Sequence, residues 1–567
     1  MTHTRVVQGM TTQPKISVQD IDHLGIIAGI IDEMGLVEQI NELLGRHPKE
    51  VVSAGHVVKA MILNGLGFVS APLYLFEQFF VGKATEHLIG EGVQPEHLND
   101  DRLGRVLDQL YLAGLSQVFI RVALQAARRF GVKTRSVHLD SSSFHLHGEY
   151  TNTGSELTKA QAATEQPLAE QDWEAEPKPI HITYGYSRDH RPDLKQFVLD
   201  LICTADGDVP LFLRVADGNE VDKAVFAKLM KEFQQQWTFE KVQVLVADSA
   251  LYSKDNLVLL GNLPWISRVP ETVAEAKQLL QGVSAREFVA SSLEGYRVAM
   301  RHRDYGGVEQ RWLIVESDTR KQSEIKQLYK RLDKQQQQLE KELQKLCRLE
   351  FSCEPDARQA AERFACQLKY HCLQELQVIE QAHHAQAGRP SKQAKPSRIS
   401  YCVQATLVRN QTAIEVALAK AGRFILATNV TDIQKLSNDE VLQEYKAQQS
   451  TERGFRFLKD PMFFTSSIFV KSPERVAAIA LVMGLCLLVY NLGQRALRSC
   501  LDQTGQSLKN QLGKATQRPT LRWVFQCFQS VHLLQTAGVR QVSNLTDERR
   551  RILSFFSPAC GHYYLLG

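Results

Sequence analysis

The sequence predicts an α/β protein whose catalytic-sized core is interrupted by an insertion and flanked by helical regions at both ends. Three observations predict this. Helical spacing dominates up to about Lys133; strand-like and helical segments then interleave to about Val269; a charged helical stretch intervenes before strand-like sequence returns near residue 412. At 567 residues the chain exceeds what one hydrophobic core usually covers, so three or four structural units are expected. With 44% hydrophobic and 23% charged residues, the composition is that of a soluble globular protein. A formal net charge of +4 is only mildly basic, which leaves charge distribution to decide for or against nucleic acid. The ten cysteines form no CxxC pair, and the first residues lack a charged-then-apolar leader pattern, so a reducing cytoplasm is the expected compartment.

From Ile21 to Lys133 apolar residues recur at three- and four-residue spacing, which predicts an all-helical N-terminal domain over 1–133. Asn99 or Asp100 would cap its second long stretch. DNA-end binding, scaffolding and dimer contact fit that domain equally. SVHLDSSSFHLHG then reads as a strand, with Asp140 at or just past its middle. An acidic, turn-rich loop covers Thr151–Pro179. Next come PIHITYGYS, a basic loop carrying Arg188, His190, Arg191 and Lys195, and two strands joined at Asp206-Gly207-Asp208, a hairpin signal. Asp222–Gln236 reads as a helix. KVQVLVADSALYS is a strand running into Asp248, followed by a short helix and the strand PWISRV.

Strand, two strands, helix, strand, helix, strand is the order of a ribonuclease-H-like fold, whose first part would occupy 134–270. In that fold the first and fourth strands lie side by side, so Asp140 and Asp248 would be neighbours. An insertion domain follows over 271–423. It opens with β pieces that include QRWLIVES and continues into a charged helical hairpin marked by Ile325, Leu328, Leu332, Leu339, Leu343 and Leu346. A Pro/Gly/Lys linker precedes TAIEVALAKAGRFILATNV, which returns the chain to the second part of the core, 424–490. The uncharged run between Arg475 and Arg495 is nearly long enough to span a bilayer, but its Ala, Gly, Asn and Gln content favours a buried core helix. In the helical C-terminal region, 491–567, ten cations face three acids. Phosphate binding and a solvated helical surface both account for that excess.

Tyr445–Lys459, YKAQQSTERGFRFLK, carries the chemistry. In one helix Tyr445, Gln448, Glu452 and Lys459 would lie within about 60° of one another. Such a face also suits an ordinary amphipathic helix with Glu452 and Arg456 as a surface pair. Together with Asp140 and Asp248, Glu452 makes a three-carboxylate set. Phosphodiester cleavage and transfer need an activated oxygen nucleophile and a stabilised leaving oxygen, which two Mg²⁺ ions about 4 Å apart supply. Mg²⁺ prefers oxygen ligands and keeps some of its waters, so a few carboxylates suffice. His145 and His147 then read as surface or substrate-side residues.

LDSSSFHLHG, GYSRDHRPDLKQ, VADSALYS and YKAQQSTERGFRFLKDP, in this order and around an insertion, resemble the DDE transposases of bacterial insertion sequences with a Tyr-Arg-Glu-Lys signature. The resemblance implies that Asp140, Asp248 and Glu452 are the catalytic, metal-binding carboxylates. Tyr445 and Lys459 match the outer signature positions, and Gln448 stands where the family has arginine. An amide cannot replace a bidentate guanidinium, so Lys446, Arg453 or Arg456 would have to compensate. DNA contact is further expected of Arg188, Arg191 and Lys195. In some members a tryptophan of the insertion stacks on a flipped base; Trp312 is the candidate here, although a Trp packed in a small β core is the better reading. The family implies two Mg²⁺ ions, replaceable by Mn²⁺, and double-stranded DNA partners, namely terminal inverted repeats and target. It also implies a homodimeric end complex, no membrane, and a bacterial cytoplasm at the nucleoid. A nuclease of the same fold, or an inactive DNA-binding or scaffold derivative, is the alternative.

Overall fold

The computed structural model describes residues 16–46, 50–68, 72–148, 150, 178–186, 191–220, 244–383, 397–447, 449–460, 470–536 and 538–566. Two compact units result: Met1–Ser267 together with Glu444–Gly567, and Arg268–Gln443.

The first unit opens with β1 (Ile16–Asp20) and continues through helices that include Leu24–Met34, Ala54–Gly65, Asp100–Leu112 and Leu115–Arg129. Ser53 and Asn99 cap the helices they precede, accepting the backbone N–H of His56 at 3.3 Å and of Arg102 at 3.0 Å. The sheet of this unit comprises β2 (Ser136–Leu146), β3 (Lys195–Thr204), β4 (Pro210–Ala216), β5 (Val244–Ala247) and β6 (Trp265–Val269). Their order is β4-β3-β2-β5-β6. β2, β3 and β4 pair antiparallel, whereas β2, β5 and β6 pair parallel, so the sheet is mixed. The turn between β3 and β4 contains Asp206-Gly207-Asp208, as the hairpin signal predicts.

The long apolar run is a 32-residue helix, Pro473–Thr504. Some 94% of its most apolar window is buried within the protein, where it packs against helices of the N-terminal region and against β4. It is apolar all round because it is surrounded by protein on all sides.

The second unit contains β7 (Val289–Ala290), β8 (Tyr296–Tyr305), β9 (Val308–Ser317), β10 (His371–His383), β11 (Arg398–Arg409) and β12 (Arg423–Thr428). β7, β8, β9 and β12 form consecutive antiparallel pairs, and β10 and β11 form a separate ribbon. Two charged helices, Asp318–Cys347 and Glu354–Cys366, follow β9. Each has its own apolar partners: Leu328 and Leu332 pack on Ile414, and Ala357 and Ala361 on Val403. The unit runs on to Gln443 and does not stop near 423, because Ile425 of β12 lies opposite Ile314 of β9.

Two expectations need correction. The N-terminal region is not all-helical, and the C-terminal region is not purely helical. β13 (Leu508–Lys509) and β14 (Ala515–Thr516) make a small hairpin, and β15 (His532–Thr536) and β16 (Val539–Ser543) join β1 in a three-stranded sheet. Ile16 pairs with Thr536 and Asp20 with His532. β1 is short and its partner lies at the other end of the chain, so no local periodicity announces the pairing.

Candidate active site

Register puts two of the three carboxylates together. β2 and β5 run parallel with Leu139 opposite Ala247, and each strand reaches an aspartate at its next residue. Adjacent strands lie about 4.8 Å apart, so Asp140 and Asp248 stand side by side at the C-terminal end of β5. Local hydrogen bonds orient both. Asp140 Oδ1 accepts the Ser141 backbone N–H at 2.9 Å, and Asp248 Oδ1 accepts that of Ala250 at 2.8 Å. The Asp248 carbonyl takes the Ser267 hydroxyl at 2.8 Å, which ties the end of β5 to β6. On the opposite face of β2, Ser141 donates to Asp200, and Arg214 holds the other Asp200 oxygen at 2.9 Å.

Glu452 lies on the helix Gln449–Leu458, which packs on β2 and β3 over the face that carries Asp140. Asp140 lies opposite Leu201, so their side chains share one face of the sheet. Gly454 sits over that face: a Cβ there would come within 4.0 Å of Leu201 and 3.2 Å of Leu487. Phe455 meets Phe144 with ring centroids 6.4 Å apart, and Lys459 Nζ lies 5.3 Å from the centre of the Phe144 ring. At the other end, Ser136 donates to Glu444, and His138 is hydrogen-bonded to the backbone of Ala447. The chain from Glu444 to Lys459 thus runs alongside β2 from Ser136 to Phe144. Its exposed Glu452 falls in the stretch that passes Asp140.

The described residues on both sides of Gln448, Asn438–Ala447 and Gln449–Leu458, are helical, and Lys459 follows them. Tyr445 is half-buried, whereas Glu452 and Arg456 are exposed. Arg453 is held bidentately by Asp208, at 2.8 and 2.9 Å. Asn491 donates to the Asp208 carbonyl at 2.6 Å, so the β3–β4 turn anchors the helix next to Glu452. Sequence reading found Asp208 as a turn residue only; its side-chain partner lies far along the chain. Gln448, Arg188 and His190 lie outside the described residues. Arg191 is exposed and forks onto Asp193, and Lys195 donates to the Tyr150 carbonyl at 2.9 Å.

Trp312 does not offer a face to a base. It is fully buried in β9, and its indole N–H donates to Gln310 Oε1 at 3.1 Å. The expectation of base stacking is therefore replaced by core packing, because β9 is buried on both faces from Gln310 to Ser317 and lies between β8 and β12. The basic tail is likewise partly structural. Arg498 binds the Pro519 carbonyl, Arg549 those of Cys527, Asn544 and Gln529, and Arg495 those of Phe130 and Gly131.

The donor set of Asp140 and Asp248 is carboxylate oxygen, which suits a hard divalent cation. Among the described residues no three His, Cys, Asp or Glu side chains already converge as a metal site. Burial pushes His138 down to about 4, against its hydrogen bond to Ala447 and with help from Arg453. Burial likewise takes His23 to about 4, although its ring is hydrogen-bonded to the Leu66 carbonyl. Unfolded imidazoles take up a proton near pH 6.5, so between about 6.5 and 4 the unfolded state binds more protons and stability falls with pH. The melting temperature should drop across that window, and His138→Gln should flatten the fall; an unchanged slope would remove His138 from the account.

Residues 137–492 match the family model described as a transposase DDE domain, well over half the chain. The chain belongs to that family. Residues 16–124 of this transposase-family protein match a domain of unknown function, DUF4277. No curated protein matches it. Among solved structures it is similar to the piggyBac transposase synaptic complex with hairpin DNA, determined by cryo-EM, at 8% identity. That alignment covers 97% of this chain and 84% of the other, with a TM-score of 0.36. Membership of the DDE-domain family makes DNA transposition its function class.

Proposed function

We propose that this transposase-family chain works by cut-and-paste. It cleaves DNA at the terminal inverted repeats of its own element and uses the new 3′-OH ends to attack target DNA. The reading includes a ribonuclease-H-like core formed by β2 to β6 and the helix bearing Glu452, a homodimeric end complex, and action at the nucleoid of a bacterial cytoplasm. The supporting observation is the register that sets Asp140 beside Asp248 under the helix of Glu452.

Asp140 and Asp248 would hold Mg²⁺, or Mn²⁺ in its place, with Glu452 completing the ligand set. Two such ions, when bound, activate the attacking oxygen and stabilise the leaving one. The chain's own contribution is orientation. Backbone N–H groups fix one oxygen of each aspartate, and the Arg453–Asp208 fork limits rotation of the helix that carries Glu452. Tyr445, Lys459 and Arg456 are proposed as contacts on the phosphate side, and Gln448, Arg188, Arg191 and Lys195 as further DNA contacts.

Purified protein incubated with a linear fragment carrying the element's ends should nick them in Mg²⁺, and should join pre-cleaved ends to a target plasmid. Glu452→Gln should abolish both, and chelation should abolish both reversibly. Nicking without joining would reduce the activity to that of a nuclease, and binding without nicking would leave only a DNA-binding protein.

A further inference from the structure

The segment between Asp502 and Asp547 contains no acidic residue and includes the hairpin of β13 and β14. Three cations sit on or beside this hairpin, Lys509, Lys514 and Arg518, and all three are exposed. At its tip Leu512 is 80% exposed. A single exposed leucine is ordinary. Here, however, the backbone is built to hold it out. Asn510 Oδ1 accepts the N–H groups of Leu512 and Lys514 at 2.9 and 3.0 Å, and the Asn510 N–H donates to the Lys514 carbonyl at 2.8 Å. Gly513 completes the turn at φ 73°, a conformation that a side chain would strain. The base is braced as well: Trp523 Nε1 donates to the Lys509 carbonyl at 2.8 Å, and Arg551 to that of Ser507 at 3.1 Å.

The neighbouring arginines of this region mostly bond to carbonyls or carboxylates and so serve the fold; Arg522, for example, pairs with Asp460 at 2.8 Å. The three hairpin cations are different: they surround a rigid apolar tip that contributes no core. A rigid, acid-free, cationic protrusion with an apolar end matches duplex DNA. Cations meet the phosphates on either side of a groove, and an apolar side chain enters the minor groove between base steps. We propose that the hairpin Leu508–Thr516 is a DNA-binding wedge, with Lys509, Lys514 and Arg518 on the backbone and Leu512 in the minor groove. The choice of DNA as partner rests on the transposase reading, but the contact is separate from the carboxylate site.

The test is binding without chemistry. Anisotropy of a fluorescein-labelled, mixed-sequence duplex is measured in chelator across a salt series, so that failure of the cleavage reading leaves this result untouched. Losing three phosphate contacts should lower affinity on the order of 100-fold at about 0.1 M salt and make the salt dependence shallower by about 2 to 3 in log–log slope. The variant Lys509→Gln/Lys514→Gln/Arg518→Gln is expected to do this. Leu512→Ser should weaken binding several-fold with an unchanged slope. All four side chains are exposed, so melting temperatures should match the parent and report intact folding. Parental affinity and slope in the triple variant would overturn the proposal. So would loss of a dimer in sedimentation with DNA binding intact, since the hairpin would then be an interface between copies.

Discussion

Asp140→Asn or Asp248→Asn should lower Mg²⁺-dependent strand cleavage by more than about 100-fold, since even outer-shell partners of a metal cost 10–100-fold when lost. Stability should not fall with activity. Two carboxylates in register on neighbouring strands repel each other in the absence of a cation, and like charges placed side by side cost a sheet stability. Removing one charge relieves that repulsion, so the melting temperature of either variant should equal or exceed that of the parent. Metal supplies a second readout. An ion that binds the folded state alone raises its stability by mass action, so added Mg²⁺ should raise the parental melting temperature and leave that of the variants unmoved. Full cleavage by either variant would remove that aspartate from the catalytic set. A variant that loses activity and also unfolds would show that the site is structural instead.

The aspartate pair was legible in the sequence because two independent signals met on it. Alternation in SVHLDSSSFHLHG and the apolar run into Asp248 each marked a strand, and the order of elements made those strands neighbours. The register itself, Leu139 opposite Ala247, was not legible, because β2 and β5 are buried on both faces and no in/out pattern fixes it. Glu452 was harder to place. Its neighbours read as an amphipathic helix, and the packing of Gly454 and Phe455 on Leu201 and Phe144 shows which side of the helical residues 449–458 meets the sheet. What was not legible depends on contacts between distant parts of the chain. Nothing near Arg453 points to Asp208, and nothing near Ile16 points to Thr536. The basic tail shows the limit of counting charge. Arg549 makes three hydrogen bonds to main-chain carbonyls, a role that composition cannot separate from phosphate binding.

Trp312 divides stability from chemistry most sharply. Trp312→Ala should cost about 3–5 kcal/mol, the usual penalty for emptying a buried aromatic site. The indole is fully buried in β9, and its N–H is satisfied by Gln310. Across the pair with β12 it lies opposite Ala427, and across the pair with β8 opposite Arg301, so the small Ala427 leaves the space that the ring fills on one side. Truncation would leave a void there and also remove the indole N–H that donates to the Gln310 amide oxygen. The loss should appear as a lower denaturant midpoint, with slope retained if unfolding stays cooperative. Trp312→Phe keeps most of the volume and should recover much of the difference, losing mainly the hydrogen bond. A tryptophan that stacked on an extruded base would behave in the opposite way: alanine would leave the midpoint unchanged and impair processing of DNA ends at full stability. Measuring both quantities on the same two variants therefore decides between packing and base recognition, and burial of the ring predicts that stability moves first.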